Sequence, residues 1–159
     1  MPARCACAAP LVVKTSPRLE DGSPFPTLYY LTHPRANAAI GKLESEGFMR
    51  QLAQSLAQDK ALAEAHRQAH QRYIEDRDRV EKVPELAGVS AGGMPDRVKC
   101  LHALAAHALA AGPGANPLGD QVLLAVAPRW RPDRCACQAA SETKAAPKSA
   151  AETKTGKDR

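Results

Sequence analysis

Two short runs of apolar and β-forming residues near the start of the chain predict strands. One is Leu11-Val12-Val13, and the other spans residues 27–32, TLYYLT. Such residues fit a pleated, half-buried surface, and proline and Asp-Gly positions between the two runs mark a rigid loop. We expect a small antiparallel pair here and no larger sheet.

From residue 34 onward the apolar residues recur at the spacing of a helix. Pro34 suits the first position of a helix, and Gly47 and Pro84 interrupt the pattern. The sequence therefore predicts three helices between residues 34 and 83. Their apolar stripes are Ala36, Ala39, Ile40 and Leu43, then Phe48, Leu52 and Leu56, then Leu62, Ala65, Ala69 and Tyr73. We expect the strongly charged stretch 73–82 to project into solvent.

The second half of the chain predicts a helix between two glycine-containing loops. Residues 87–95 form the first loop, residues 96–110 form the helix with Asp96 as its N-cap, and residues 112–120 form the second loop. Residues 121–127 add a helical turn or two. The predicted fold class is α+β: a mainly helical domain whose small N-terminal antiparallel β element is clamped against helix 96–110.

The end of the chain differs from the rest in composition. Residues 138–159 contain no Leu, Ile, Val or aromatic residue, so this polar tail cannot bury enough apolar surface to order itself, and we expect it to be disordered. Residues 1–137 are then the right length for a single domain. Aromatic residues make up only 4% of the chain, which excludes a large β-sandwich and predicts a core of Ala, Leu and Val.

The charge of the chain is too small and too dispersed to indicate a nucleic-acid binder. The net charge is +5, and the five basic and three acidic residues from Ser141 onward supply +2 of it, which leaves +3 for the body. The one dense basic run outside the tail is Arg129, Arg131 and Arg134 around Trp130. An aromatic ring beside arginines could stack on a base and bind nucleic acid weakly, which stays a third option, but we interpret this run as a solvated arm. Nucleic acid is therefore not the expected partner.

No segment predicts membrane insertion or secretion. No run approaches the roughly 18 apolar residues of a membrane helix, and the N-terminus lacks the apolar region of a signal peptide. The expected compartment is the cytoplasm, where the five cysteines favour thiols or metal ligands over disulfides.

The sequence Cys5-Ala6-Cys7 carries the strongest chemical signal. Two thiols one residue apart on an irregular segment can both reach one metal ion. Structural zinc takes four Cys or His ligands, and an iron–sulfur cluster accepts thiolates with an occasional His. The remaining ligands would come from Cys100 with one of His33, His102 and His107, or from the second pair, Cys135 and Cys137.

The predicted helix 96–110 decides which of its side chains could act together. On such a helix Cys100 and His107 share one face two turns apart, whereas His102 points the other way. Two turns are roughly 10 Å, too far for one metal ion or for a Cys–His nucleophile pair. Cys100 is therefore the expected ligand from this helix.

The junction between the glycine loop and this helix is a candidate anion site. Backbone N–H groups at a helix start, assisted by nearby basic side chains, can bind phosphate or another small anion. The candidate residues are Gly92, Gly93, Arg97, Lys99 and His102. The G-x-x-x-x-G-K-[ST] and G-x-G-x-x-G motifs are absent, so this is not a nucleotide-binding loop of either standard kind.

Three blocks of sequence, preceded by the first Cys-Ala-Cys, resemble a known bacterial family. They are PRLEDGSPFPTLYYLTHPRA at 17–36, GVSAGGMPDRVKCLHALAAHALA at 88–110 and GANPLGD at 114–120. The resemblance covers about residues 4–126 and is to the family catalogued as domain of unknown function 501, sometimes labelled septum formation initiator family. It implies a small cytoplasmic protein of unassigned activity.

The resemblance also implies a ligand set. The family pattern has cysteine or histidine at the positions of Cys5, Cys7, His33 and Cys100, which would form one zinc or iron–sulfur site. We therefore expect a metal-binding protein, linked to cell division or envelope physiology through an unknown protein partner. The alternative is an enzyme that acts on a phosphorylated or anionic small molecule at the glycine-rich loop and helix 96–110.

Overall fold

The computed structural model describes residues 3–6 and 8–134, which form five α-helices and a two-stranded sheet. The strands are β1 (Val12–Lys14) and β2 (Tyr29–Leu31). The helices are α1 (Pro34–Ser45), α2 (Phe48–Gln58), α3 (Lys60–Asp78), α4 (Leu101–Ala111) and α5 (Pro117–Val126), with a 3₁₀ turn at Pro84–Leu86 between α3 and α4. The predicted mainly helical α+β class is confirmed.

The two strands are antiparallel, with Val12 opposite Leu31 and Lys14 opposite Tyr29. Side chains of α3 bind β2 and the residue before it. The Tyr73 hydroxyl accepts from the backbone N–H of Leu28 at 2.6 Å, and the Tyr29 hydroxyl donates to Asp76 at 2.8 Å. A two-stranded pair is marginal alone, so this packing stabilises it.

Local sequence signals set the starts of the first three helices, and Pro34 and Gly47 act as predicted, whereas α3 ends at Asp78, before the predicted stop at Pro84. Pro34 begins α1, and His33 is its N-cap, with Nδ1 accepting from the Ala36 N–H at 3.3 Å. Gly47 separates α1 from α2 with a φ of 82°, a conformation that glycine adopts without strain. Asp59 caps α3 by accepting from the Leu62 N–H.

Helix α4 lies at the centre of the core. Six of its eleven residues are buried, and it packs against α5, α1 and both strands. Helix α5 approaches α4 closely because Gly119 has no side chain: a Cβ there would lie 2.2 Å from the Leu104 carbonyl oxygen. The predicted contact between the β element and the central helix is confirmed, and it positions the loop that precedes α4.

The predicted start of this helix at Asp96 is wrong, because α4 begins at Leu101. The N–H of Arg97 donates to the Gly93 carbonyl, and the N–H of Lys99 donates to the Gly92 carbonyl. These bonds fold residues 92–99 back on themselves. Cys100 follows in an extended conformation, with φ −150° and ψ 111°.

Two further expectations about exposure are wrong. Trp130 is buried at 6% exposure and packs against His33, so the ring does not belong to a solvated arm and cannot stack on a base. Arg77 lies in the stretch expected to be solvated, yet its side chain is fully buried, and its guanidinium donates to the carbonyls of Leu86 and Val89. Long basic side chains are buried where carbonyl acceptors satisfy them.

The predicted polar tail, residues 138–159, lies outside the described residues, as do Cys7, Cys135 and Cys137. Among the helices of the described part, none is both long and apolar enough to cross a membrane.

Candidate functional site

Three chemically active side chains meet where the loop before α4 reaches the end of α1. They are Glu44 on α1, Cys100 just before α4, and His102 in the first turn of α4. One ligand atom of each lies within 4.8 Å of the other two, and all three residues are partly buried. We call this group the Glu44–Cys100–His102 cluster.

The packing of α1 on α4 places the Glu44 side chain in the cluster. Its neighbour Leu43 is buried in the core, and the Glu44 carboxylate lies over the N-terminus of α4. Its Oε1 accepts from the Leu101 N–H at 2.9 Å and lies 3.3 Å from Nδ1 of His102. A carboxylate is favoured there because the first N–H groups of a helix lack partners within the helix.

A hydrogen bond of Nε2, the ring nitrogen that does not face Glu44, fixes the orientation of His102. Nε2 lies 3.2 Å from the backbone carbonyl of Asn37, also on α1. Because a carbonyl can only accept, Nε2 carries a proton and Nδ1 faces Glu44 and Cys100. The nearby Cys100 thiolate, the Asn37 carbonyl and the Glu44 carboxylate raise the pKa of His102 to about 9, against the opposing effect of burial.

Cys100 has the electrostatic surroundings of an activated thiol. His102 lowers the pKa of the Cys100 thiol below its ordinary value, helped by the Ala103 backbone N–H, while burial and Glu44 act in the opposite direction. A positive imidazole and a helix N-terminus both favour the thiolate, which is the form that binds metals and acts as a nucleophile.

A surface cavity of about 400 Å³ opens beside the cluster. Cys100 and His102 lie in its wall, together with Thr27, Tyr29, Tyr30, Leu31, Asn37 and Ala103. A larger cavity, of about 670 Å³, lies between α3 and the connection from α4 to α5; its lining has arginines and carboxylates but no thiol or imidazole. Of these two cavities, the smaller has Cys100 and His102 in its wall.

The ligand set predicted from the sequence differs from this cluster. Among the described residues, the group of potential ligands around Cys100 contains Glu44 and His102, and neither Cys5 nor His33 belongs to it. Cys5 and His33 are both buried, and Cys7 lies outside the described residues. The set of Cys5, Cys7, His33 and Cys100 therefore stays a prediction.

The expected orientation of His102 away from Cys100 is wrong, because Cys100 precedes the helix and the helical angle between the two residues does not apply. His107, the predicted neighbour of Cys100, is instead fully buried and stacked on the ring of Tyr29.

The structure removes part of the argument for the predicted anion site. Gly92, Gly93, Arg97 and Lys99 lie in the loop before the helix, where the N–H groups of the two basic residues already bond the glycine carbonyls. The N-terminus of α4 is occupied by the carboxylate of Glu44. Of these candidates His102 is the one in the cluster, and anion binding by the others stays a prediction.

Sequence reasoning did not find Glu44. It lies 56 residues before Cys100, in a helix whose pattern indicated only a core stripe and a polar face. No local motif marks it, since its role follows from the packing of α1 on α4.

Comparison with known proteins places the chain in a family without assigning an activity. No curated protein and no solved structure is significantly similar to it. Residues 1–124 match the family described as "Protein of unknown function (DUF501)", nearly the span over which the resemblance was expected. The chain therefore belongs to the DUF501 family.

Proposed function

We propose that the Glu44–Cys100–His102 cluster binds one divalent metal ion, with Zn²⁺ as the best match. The observation that carries the proposal is the convergence of a carboxylate oxygen, a thiol sulfur and an imidazole nitrogen within 4.8 Å. Carboxylate, thiolate and imidazole are the three ligand types that proteins offer to zinc.

Two contacts of His102 fit a metal site. Bonds to zinc of roughly 2.0–2.3 Å in a tetrahedron place the ligand atoms roughly 3.3–3.7 Å from one another. Nδ1 of His102 and Oε1 of Glu44 are 3.3 Å apart, which is long for a charge-assisted hydrogen bond but fits that edge. The bond from Nε2 to the Asn37 carbonyl is the outer-shell contact that zinc-binding histidines usually make.

In the metal-free protein a proton takes the metal's place. The raised pKa of His102 means that Nδ1 is protonated at neutral pH, between the carboxylate and the thiolate. Zinc would displace that proton, so we expect binding to release protons and to weaken as the pH falls.

Three protein ligands leave one tetrahedral position for water or a substrate, as in catalytic zinc sites. The cavity next to Cys100 and His102 supplies room for a small molecule. A metal at this point would attract an oxygen anion, so a phosphorylated or carboxylated substrate fits the proposal. An iron–sulfur cluster fits less well, because among the described residues Cys100 is the one thiol of the group.

We also propose a role in cell division or envelope physiology through a protein partner. Only the family resemblance supports this role.

The test is the zinc content of the full chain and of single variants, purified without chelators and measured by native mass spectrometry. Cys100→Ser and His102→Asn should each lose one zinc ion that the unchanged protein holds. His70→Asn is the matched control, because His70 bonds Ser90 away from the cluster. Equal zinc content in the Cys100→Ser variant and the unchanged protein would contradict the proposal.

A second candidate is a metal-free cysteine nucleophile. The observation that favours it is the lowered pKa of the Cys100 thiol beside His102, in a cavity wall. On this account Cys100 reacts with iodoacetamide at pH 7 faster than an ordinary thiol, His102→Asn slows the reaction, and added Zn²⁺ has no effect. Protection of Cys100 by one equivalent of Zn²⁺ would favour the metal site instead.

A further inference from the structure

Ser90 and His70 form a hydroxyl–imidazole pair between α3 and the loop that precedes α4. The Ser90 Oγ lies 2.8 Å from Nδ1 of His70, and both residues are partly buried. A serine hydroxyl is a weak nucleophile until a base within hydrogen-bond reach accepts its proton, and an imidazole often serves as that base. The pair therefore has the contact that an activated serine requires.

A buried arginine holds the loop that presents Ser90. Arg77 lies two helical turns after His70 on α3, so the two side chains leave the same face of that helix. Its fully buried guanidinium donates to the carbonyls of Leu86 and of Val89, the residue immediately before Ser90. Because these bonds join the loop to α3, the contact between Ser90 and His70 is set by the fold.

Burial and charge suit the His70 imidazole to act as a base. Burial lowers the pKa of His70 below its ordinary value, with a further contribution from Arg77, so the ring is neutral at pH 7. In the tautomer with its proton on Nε2, Nδ1 accepts from the Ser90 hydroxyl. Asp96 acts on this pKa in the opposite direction, so its carboxylate stabilises the imidazolium that forms when the ring accepts a proton.

Backbone N–H groups next to Ser90 can stabilise an oxyanion. Within the part of the chain that the structure describes, the N–H groups of Ala91 and Gly92 donate to no other group. The N–H of the residue after a nucleophilic serine commonly forms part of an oxyanion hole, and Ala91 has that position. The sequence GVSAG at 88–92 also has the G-x-S-x-G spacing of serine hydrolases, here in a loop rather than between a strand and a helix.

A cavity of about 270 Å³ lies between α2, α3 and the loop at Asp96. Asp96 and Arg97 give its wall a polar side, and small or apolar side chains form the other side: Ala53, Leu56, Ala57 and Ala63. Asp96 thus borders the cavity and also acts on His70. A space of this size with small apolar side chains fits a short acyl chain and not a long one.

We infer that Ser90 and His70 form a catalytic pair that hydrolyses esters of short-chain carboxylic acids. Ser90 Oγ forms a bond to the ester carbonyl carbon while its proton passes to Nδ1 of His70, and that proton leaves with the alcohol as the ester C–O bond breaks. Water then attacks the acyl-serine and gives a proton to His70. The carboxylic acid is released, and the proton returns to the Ser90 oxygen. These steps use neither Cys100 nor a metal ion, so they are independent of the Glu44–Cys100–His102 cluster.

The first test is labelling of the full chain with a fluorophosphonate probe, which phosphonylates activated serines. Mass mapping should find the phosphonyl group on Ser90, and the Ser90→Ala variant should lose it. Ser55→Ala is the matched control and should keep the label, because the Ser55 hydroxyl donates to the Gln51 carbonyl of its own helix. Absence of label from Ser90 in the unchanged protein would overturn the inference, and this result does not depend on the folding of any variant.

Hydrolysis of p-nitrophenyl butyrate measures the role of His70. Ser90→Ala should reduce the rate to that of the buffer, and His70→Asn should slow it roughly 100-fold or more, as expected for loss of a general base. Ser55→Ala should hydrolyse the ester as fast as the unchanged protein. Equal rates in Ser90→Ala and the unchanged protein would overturn the catalytic pair.

Asp96 is a positioning residue, and its role is tested by the dependence of the rate on pH. Asp96→Asn should move the midpoint of the pH–rate profile to lower pH, because the carboxylate raises the pKa of His70. A purely structural effect would lower the rate at every pH and leave the midpoint unmoved. That second result would overturn the action of Asp96 on His70.

Discussion

Glu44 serves two partners with one carboxylate oxygen. It satisfies the N–H of Leu101 at the start of α4 and faces the imidazole of His102. Helix capping needs only an acceptor, whereas metal binding also needs the negative charge. The two roles can therefore be separated by a change that removes the charge and keeps the oxygen.

Replacing Glu44 by Gln should weaken zinc binding at the cluster roughly 10- to 100-fold or more, the size of effect seen when the surroundings of a metal are altered. The amide oxygen still accepts from Leu101, so the melting temperature of the chelator-treated protein should stay within a few degrees of the unchanged protein. Competition with a chromophoric chelator measures the affinity. Glu46→Gln is the matched control, because Glu46 pairs with Lys42 and Arg129 on the surface. Equal losses in both variants would show that Glu44 acts only through general surface charge.

Cys100 and His102 could both be named as candidates from the sequence, whereas Glu44 could not. Thiols are few and reactive, so each is a candidate wherever it lies. A carboxylate such as Glu44 is one of 17 acidic residues in the chain. Its importance appears only when two helices pack and place it at the start of α4.

At the scale of elements, the apolar pattern predicted α1 and α2 closely because Pro34 and Gly47 mark their starts, whereas α3 ends at Asp78, before Pro84. It extended α4 by five residues, since Asp96 followed by apolar positions resembles a helix start. The N–H groups of Arg97 and Lys99 bond to the preceding glycine carbonyls instead. Because of these bonds, Cys100 precedes the helix and lies beside His102.

The contact between α4 and α5 depends on Gly119. Replacing it by Ala would place a Cβ 2.2 Å from the Leu104 carbonyl oxygen and 2.8 Å from the Ala108 Cβ, so the helices must separate. We expect a loss of about 3 kcal/mol or more in the free energy of unfolding, measured by urea denaturation.

Gly41→Ala on α1 is the control for that change. A Cβ at Gly41 meets nothing within 4 Å, so this variant should gain about 0.5–1 kcal/mol in the free energy of unfolding. If Gly119→Ala were as stable as the unchanged protein, the close approach of α4 and α5 would be wrong.

At the scale of the whole molecule, the interior contains polar rings that composition did not indicate. His66 and His107 are fully buried, and neither ring nitrogen of His66 has a hydrogen-bond partner among the described residues. Burial lowers the pKa of each of these histidines to about 4. Sequence reasoning treats histidine as a surface or site residue, so fully buried, neutral imidazoles were not predicted.

These two histidines should make the fold sensitive to mild acid. Their folded-state pKa values lie below the value of about 6.5 in the unfolded chain, so their contribution is complete above pH 6.5 and is lost as the pH falls toward 4. A pKa shift from about 6.5 to about 4 corresponds to a loss on the order of 3 kcal/mol for each histidine over the whole range. His102 titrates in the opposite sense but above pH 6.5, so it does not mask the effect.

Urea denaturation at pH 7, 6 and 5 measures this dependence before most carboxylates titrate. His66→Met should reduce the slope of stability against pH, whereas His70→Asn should leave most of it, because His70 is only partly buried. A free energy of unfolding that stays constant from pH 6.5 to 5 would contradict burial of neutral imidazoles.

The most direct measurement of the proposed metal centre is anomalous X-ray diffraction at the zinc absorption edge, from crystals grown with Zn²⁺ near neutral pH. We predict an anomalous peak about 2.3 Å from the Cys100 sulfur and roughly 2.0–2.2 Å from Nδ1 of His102 and a carboxylate oxygen of Glu44. Crystals of the Cys100→Ser variant, grown in the same way, should lack this peak. An ordered cluster with no anomalous density among these three side chains would contradict the account.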